Sequence, residues 1–311
     1  MIITVTLTPA LDKTVVIPSF EVGKVNRIVS IRQDPGGKGI NVSKVLRVLG
    51  TESIATGILG GNTGAWIENE IEKLGIGHDF VHTEAATRTN LKVIDNELHT
   101  NTDINEPGEP VTDAVYEAVF RKITDNAKAG DMVVFSGKAP KGAPDDIFGS
   151  YIRRLREAGI RSCLDADAEL LIHGVEALPE MIKPNDVELA RLTGRSADTI
   201  DEIADSAKAL NSRGIRTVVV SLGSEGALFA RNGIVLHAEG LKVPVGSTVG
   251  AGDSMMAAFC HGEQTGMTFE DACRLSVAVS AAEVMQSGTQ PPTLEEVQEL
   301  LPKVRMRRLS D

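Results

Sequence analysis

The stretch S247-T-V-G-A-G-D-S-M-M-A-A-F259 sets Gly250, Ala251 and Gly252 directly before Asp253 and then opens an apolar helical run. Small residues let a backbone turn sharply and leave its N–H groups uncovered, and the first N–H groups of a helix have no partner inside it. Such a turn suits an anion, which the helix dipole also favours. Taken alone, Asp253 reads at least as well as an N-cap. The rest of the chain has to decide between the two.

Outward from this stretch the rhythm is strand then helix. "SIATGIL" precedes "TGAWIENEIEKLG", "DMVVFSG" precedes "DDIFGSYIRRLREAG", "RSCLDA" precedes "AELLIHG", and "RTVVVSLG" follows "DEIADSAKALNSRG". Alternation on that scale predicts an α/β fold with a mostly parallel sheet covered by helices. Beyond Gly250 the chain turns helical, through "TFEDACRLSVAVSAAEVMQSG" and "TLEEVQELLPKV". Two excursions break the rhythm. "KTVVIP" and "NRIVSIRQ" within residues 12–35 read as exposed strands, and "TNLKVID" with "ELHTN" reads as a hairpin closing through Asp95 and Asn96. Together they predict a small lid sheet, from about 12–35 and 88–102, on a single domain spanning 1–311.

With 311 residues, 42% hydrophobic and 24% charged, the chain has the composition of a globular protein with a sizeable core. Its 32 basic against 43 acidic residues give a net charge of −11, which argues against a nucleic-acid partner. Cys163, Cys260 and Cys273 show neither metal-ligand nor disulfide spacing and read as core thiols of a reducing compartment. The N-terminal "MIITVTLTPALD" lacks the parts of a signal peptide, and no apolar run reaches membrane-spanning length, so a cytoplasmic protein without a membrane partner is expected.

In a doubly wound sheet, ligands gather beyond the carboxyl ends of the strands. Five motifs fall there: "GGKGIN", "FSGKAPKG", "IKPNDVE", "SLGSEGA" and "VGAGD". Gly36, Gly37 and Gly39 around Lys38 read as a turn into a helix or as a close backbone approach to a polar ligand. Neither a P-loop nor a dinucleotide-binding fingerprint is present. Arg88, Asn90 and Lys92 alternate, hence share a strand face, which is either solvated or able to clamp a phosphate and a sugar hydroxyl. Asp12 reads as a turn residue or an acceptor for sugar hydroxyls. Asn185 and Glu188, three apart after Lys183, fit a capping box as well as a site for hydrated Mg²⁺.

In their order and spacing, "GGKGIN", "TRTNLKV", "KPNDVEL", "SLGSEGAL" and "STVGAGDSMMAAF" resemble the ribokinase-like carbohydrate kinases from end to end, in particular the hexose-phosphate kinase branch. The resemblance implies a three-layer α/β sandwich with a β-sheet lid, through which a homodimer forms, and transfer of the γ-phosphoryl group of ATP to the C6 hydroxyl of fructose 1-phosphate. Tagatose 6-phosphate or fructose 6-phosphate are alternative acceptors. A nucleoside acceptor fits the cations Lys38, Arg88 and Lys138 less well, and a non-catalytic sugar-phosphate sensor is the alternative of another class.

By the same resemblance Asp253 is the general base and Gly250, Ala251 and Gly252 form the anion hole. Asp12, Gly37, Lys38, Asn41, Arg88, Asn90 and Lys138 surround the sugar phosphate. Lys183, Asn185, Ser221, Gly223 and Gly226 serve the nucleotide, and Asn185 with Glu188 holds Mg²⁺ through water. The chain departs from its relatives at Gly137-Lys138-Ala139-Pro140, where Gly-Ser-Leu-Pro is common, and Lys138 is either a surface charge or a further cation at the sugar phosphate. It departs again at "LDADAELL" and "SAAEVMQSG", both expected on the adenine side.

Overall fold

The computed structural model describes residues 1–310. The N-terminal half runs β1 (Ile2–Thr6), β2 (Ala10–Ile17), β3 (Ser30–Gly36), α1 (Lys38–Val48), β4 (Ser53–Gly60), α2 (Gly61–Lys73), β5 (Gly77–His78), β6 (Val81–Thr83), β7 (Arg88–Asp95), β8 (Thr100–Asn105) and α3 (Asp113–Asn126). There follow β9 (Met132–Gly137), α4 (Ile147–Glu157), β10 (Arg161–Ala166), α5 (Ala168–Glu176), β11 (Met181–Ile182), α6 (Asp186–Thr193), α7 (Ile200–Ser212) and β12 (Thr217–Ser221). The chain closes with β13 (Ala227–Arg231), β14 (Ile234–Ala238), α8 (Ala251–Thr265), α9 (Phe269–Val284), α10 (Leu294–Leu300) and β15 (Met306–Ser310).

The large sheet runs β5, β4, β1, β9, β10, β11, β12, β13, β14, β15, with β6 also on β4. Pairing is parallel from β5 to β12 and antiparallel beyond. Side-chain alternation along each strand separates two cores. Ile3, Val5, Val133, Phe135 and Leu164 meet α3, α4 and α5 on one face. Ile2, Val134, Cys163, Met181 and Val219 meet α1, α8 and α9 on the other. The result is three layers, as the strand–helix rhythm predicts; the antiparallel β13–β15 edge is not visible in that rhythm. The three thiols are buried and unbridged. Among the described residues no helix is long and apolar enough to cross a membrane.

The small sheet is ordered β3, β2, β7, β8. Its hairpin differs from expectation: β7 ends at Asp95, residues 96–99 form the turn, and β8 begins at Thr100. The Asp95 carboxylate causes this, because it accepts the N–H groups of Glu97 and Leu98 at 2.9 Å each and so caps a longer turn. "ELHTN" is therefore mostly turn. The central pair β2–β7 is parallel, setting Asp12 opposite Asn90 and Thr14 opposite Lys92.

Candidate active site

Four strands of the large sheet present polar groups on the α1/α8 face at their carboxyl ends. Following Ile2, Val134, Cys163 and Met181 along that face by steps of two leads to Thr6, Ser136, Asp165 and Lys183. All four line a cavity of about 460 Å³. It lies where the chain leaves β1 for β4 on one side and β9 for β10 on the other, the reversal at which open α/β sheets bind ligands. The small sheet roofs it with Asp12, Thr14, Asp34, Arg88, Asn90 and Lys92.

The N-terminal ends of α1 and α8 face the same space. Gly250 is the N-cap of α8 in the left-handed region, φ 92°, and Asp253 lies in the first helical turn. The N-cap reading of Asp253 is thereby corrected: its carboxylate turns away from its own helix and accepts Asn41 Nδ2 from α1 at 2.9 Å. Gly37, N-cap of α1 at φ 117°, is confined as well, since a Cβ there would stand 2.6 Å from Thr6 Cγ2. Asp253 is only 6% exposed. Burial, then the neighbouring Asp165 charge, lifts its pKa to about 7 against the opposing influence of Lys38, Asn41 and Lys183.

Charge in the cavity is closely matched. Lys38 Nζ stands 3.1 Å from Asp167 Oδ1 and 3.6 Å from Asp165 Oδ1. Lys183 Nζ stands 3.2 Å from Asp165 Oδ2, and Lys138 Nζ stands 3.6 Å from Asp167 Oδ2. Burial alone would lower the Lys38 pKa, but Asp165, Asp253 and Asp167 outweigh it and hold the ammonium above its ordinary value. Burial would likewise raise Asp165, yet Lys183 and Lys38 keep it below the usual carboxylate range. A site built this way holds Lys38 charged in a setting that would otherwise discharge it.

On the lid, Asn90 Nδ2 donates to Asp12 Oδ1 at 2.9 Å, and burial raises the Asp12 pKa. Arg88 donates through Nη1 to the Glu106 carbonyl and through Nη2 to the Thr8 carbonyl, at 3.2 and 3.3 Å. Asn41 Oδ1, Asn90 Oδ1, Ser136 Oγ and Thr289 Oγ1 are buried without a hydrogen-bond partner. All four residues belong to the cavity lining, so the space suits a ligand rich in hydroxyl and phosphoryl oxygens.

The remaining expected residues lie outside the cavity lining: Ala251 in the first turn of α8, Ser221 at the end of β12, and Asn185, Glu188, Gly223 and Gly226 in the segments that follow β11 and β12. Asn185, beyond β11, forms a parallel bridge with Ser221 at the end of β12, joining "KPNDVE" to "SLGSEGA". Asn185 and Glu188 make a complete capping box on α6, with Glu188 N–H donating to Asn185 Oδ1 at 2.8 Å and Asn185 N–H to Glu188 Oε2 at 2.9 Å. Gly226 is set by packing, because a Cβ there would stand 2.1 Å from the Ala238 carbonyl oxygen. Gly223 opens the short 3₁₀ turn after β12.

Residues 7–296 match the model of the pfkB family of carbohydrate kinases. The chain belongs to that family. A 1-phosphofructokinase of Vibrio cholerae is 33% identical over 308 residues, 99% of this chain and 97% of that enzyme. A 1-phosphofructokinase of Xanthomonas campestris is 37% identical over 292 residues, 92% of this chain and 91% of that enzyme. The phosphofructokinase-2 of Escherichia coli, solved in complex with substrates and products, matches with a TM-score of 0.92 at 27% identity, covering 97% and 98% of the two chains. This carbohydrate kinase is accordingly a phosphotransferase with ATP as co-substrate.

The structure places both departures next to the cavity. In "LDADAELL", Asp165 and Asp167 line the cavity and pair with Lys38, because β10 lies next to β9 and shares its ligand-facing edge. "SAAEVMQSG" carries Glu283, which packs behind Gly250. Sequence reading also passed over Lys44, whose buried ammonium donates to the Pro35 carbonyl at 3.1 Å and the Thr289 carbonyl at 2.8 Å. The available signal was a lysine within the apolar face of α1.

Proposed function

We propose that this kinase transfers the γ-phosphoryl group of ATP to the C6 hydroxyl of fructose 1-phosphate, giving fructose 1,6-bisphosphate. The observation that carries the reading is Asp253: a buried carboxylate with a pKa of about 7, held by Asn41 at the start of a helix whose first residues, Gly250 and Gly252, line the same cavity. The full-length relatives named 1-phosphofructokinase support the choice of acceptor.

Asp253 accepts the proton of the attacking hydroxyl, for which a pKa near neutrality is suited. The backbone N–H groups of Gly250, Ala251 and Gly252 hold the charge that develops on the γ-phosphoryl oxygens, as preorganised donors at a helix N-terminus do. Lys183 assists there, its Nζ lying 3.1 Å from the position a Cβ on Gly252 would take. Asp12 and Asn90 orient the sugar hydroxyls. Lys38, Arg88 and Lys138 meet the phosphate already on the sugar, with Gly37 and Asn41 completing that wall. Ser221, Gly223 and Gly226 border the nucleotide.

Mg²⁺ supplies charge neutralisation at the β- and γ-phosphates when bound. The donor set at α6 suits a hydrated ion: the capping box uses one oxygen of Asn185 and one of Glu188, which leaves the second carboxylate oxygen of Glu188 outside the box. Glu188 with Asn185 would hold the ion through water.

We read the chain as one cytoplasmic kinase domain that pairs with a second copy through the lid. Val15, Ile17 and Val93 of the lid are already buried, against the expectation of an exposed strand for residues 13–17, with Phe20 and Leu91 packed on them, whereas Ile31 and Ile104 of the lid are exposed. A second copy would cover Ile31 and Ile104. Comparing kcat/KM for fructose 1-phosphate, fructose 6-phosphate and tagatose 6-phosphate by ADP release tests the function. The expected order has fructose 1-phosphate first; absence of ADP release with all three overturns the kinase reading.

A further inference from the structure

Behind the turn at Gly250 lies a second buried carboxyl group, Glu283 of α9, only 2% exposed. A Cβ on Gly250 would stand 2.6 Å from Glu283 Oε1, so glycine is required there by close approach as well as by its φ of 92°. Glu283 Oε2 is buried without a hydrogen-bond partner, and so is Ser254 Oγ. The charged groups facing Glu283 are Lys44 of α1 and Asp253 of α8, with the Ser254 hydroxyl beside it. Lys44 directs its hydrogen bonds to two carbonyls and makes no ion pair with Glu283.

We propose that Glu283 is a positioning residue for phosphoryl transfer, supporting the Gly250–Gly252 turn from behind in its uncharged form and weakening that turn's hold on an anion when charged. The inference rests on the reading of that turn as the phosphoryl site. The Ser254 hydroxyl can bond a Glu283 oxygen in either state, accepting from the uncharged acid or donating to the carboxylate, so the proton on Glu283 changes the charge behind the turn rather than the number of bonds. The charged form sets a negative charge against the back of a turn that must hold negative oxygens. Burial first, and then Asp253, lift Glu283 to about 7 against the pull of Ser254 and Lys44. The two carboxyl groups flanking the first turn of α8 therefore have opposite requirements: Asp253 must be charged to take a proton, whereas Glu283 must not be. Since they interact, the productive species is the one with a proton on Glu283 and none on Asp253. An anion in the turn favours that proton, and by linkage the proton favours the anion.

The test compares the parent with Glu283→Gln and Glu283→Ala between pH 6 and 9. Activity is followed with saturating fructose 1-phosphate, and ATP binding by the rise in Tm that ATP produces. In the parent, kcat/KM for ATP should climb through pH 7 and then fall about tenfold or more on the alkaline side, and the ATP-induced rise in Tm should shrink with it. Glu283→Gln, always uncharged and of the same shape, should retain both at alkaline pH. Glu283→Ala should be impaired at every pH. An alkaline fall unchanged in Glu283→Gln, or a Gln variant as poor as the Ala variant, overturns the proposal. A parent that transfers no phosphoryl group at any pH overturns the underlying functional reading instead, and the Tm measurement still decides whether Glu283 controls ATP binding.

Discussion

Asn41 Nδ2 donates to Asp253 Oδ2 across 2.9 Å, joining the first turns of α1 and α8 although the two residues are 212 positions apart. The bond holds one oxygen of a buried carboxylate and opposes the rise in its pKa. Two helix N-termini and one ionisable group thus meet at a single point of the cavity, and the predictions follow from what each neighbour does to that group.

Asp253→Asn removes the proton acceptor while keeping the shape of the side chain. The expected loss in kcat is on the order of 10²-fold or more, with an unchanged circular dichroism spectrum. Stability should respond in a definite direction. The folded-state pKa of Asp253 is raised to about 7, so the stability linked to its proton is present at low pH and is lost as pH rises through 7. The asparagine has no such loss. The Tm of the variant relative to the parent should therefore be more favourable at pH 8 than at pH 5, and equal differences at both would show that Asp253 does not titrate in this way.

Asp165→Asn should shift the pH profile. The Asp165 charge is the second cause, after burial, of the raised Asp253 pKa, and removing it leaves Lys38 and Lys183 to act on Asp253. The Asp253 pKa then falls. Because the base works when deprotonated, the acid limb of kcat should move to lower pH by about one pH unit. A limb that stays in place or moves upward contradicts the geometry.

Arg88→Ala should raise KM for fructose 1-phosphate about tenfold or more and leave KM for ATP nearly unchanged, since a guanidinium–phosphate pair contributes mainly binding. Arg88 lines the cavity from the lid, away from the strands that carry Ser221 and Asn185. Equal effects on both substrates would place it outside the sugar site.

Lys138 has a side chain 68% exposed and 3.6 Å from Asp167. Lys138→Ser should leave kcat nearly intact and raise KM for fructose 1-phosphate by a factor of roughly 3 at low ionic strength, with the difference vanishing at high salt as screening takes over. The same KM and salt slope in both proteins would make Lys138 a surface charge.

Phe135 of β9 is fully buried and packs on Phe148 and Tyr151 of α4 at centroid distances of 5.3 and 6.0 Å. Phe135→Ala should cost about 3–5 kcal/mol, read as a lower denaturant midpoint at unchanged m. It should also blunt the cavity's β9 edge, since Ser136 and Gly137 follow directly.

Whatever depends on neighbours in the chain was open to sequence reading. The strand–helix alternation, the glycine turn before Asp253 and the capping box of Asn185 and Glu188 are local patterns, fixed by residues within one or two turns of each other. The alternation of Arg88, Asn90 and Lys92 likewise sets one strand face, and all three line the cavity. What faces that strand was not open to such reading. The parallel pairing of β2 with β7 sets Asp12 against Asn90, and the adjacency of β9 and β10 brings Asp165 to Lys38. Burial depends on the same packing: only the stacking of α9 on α8 makes Glu283 a buried carboxyl group at the back of Gly250 rather than a charge on a helix surface. Hydrogen bonding and hydrophobic periodicity act over a few residues and are written in the chain. Strand order, desolvation and the pairing of distant charges are settled only when the layers close, because each is a property of what two remote segments exclude between them.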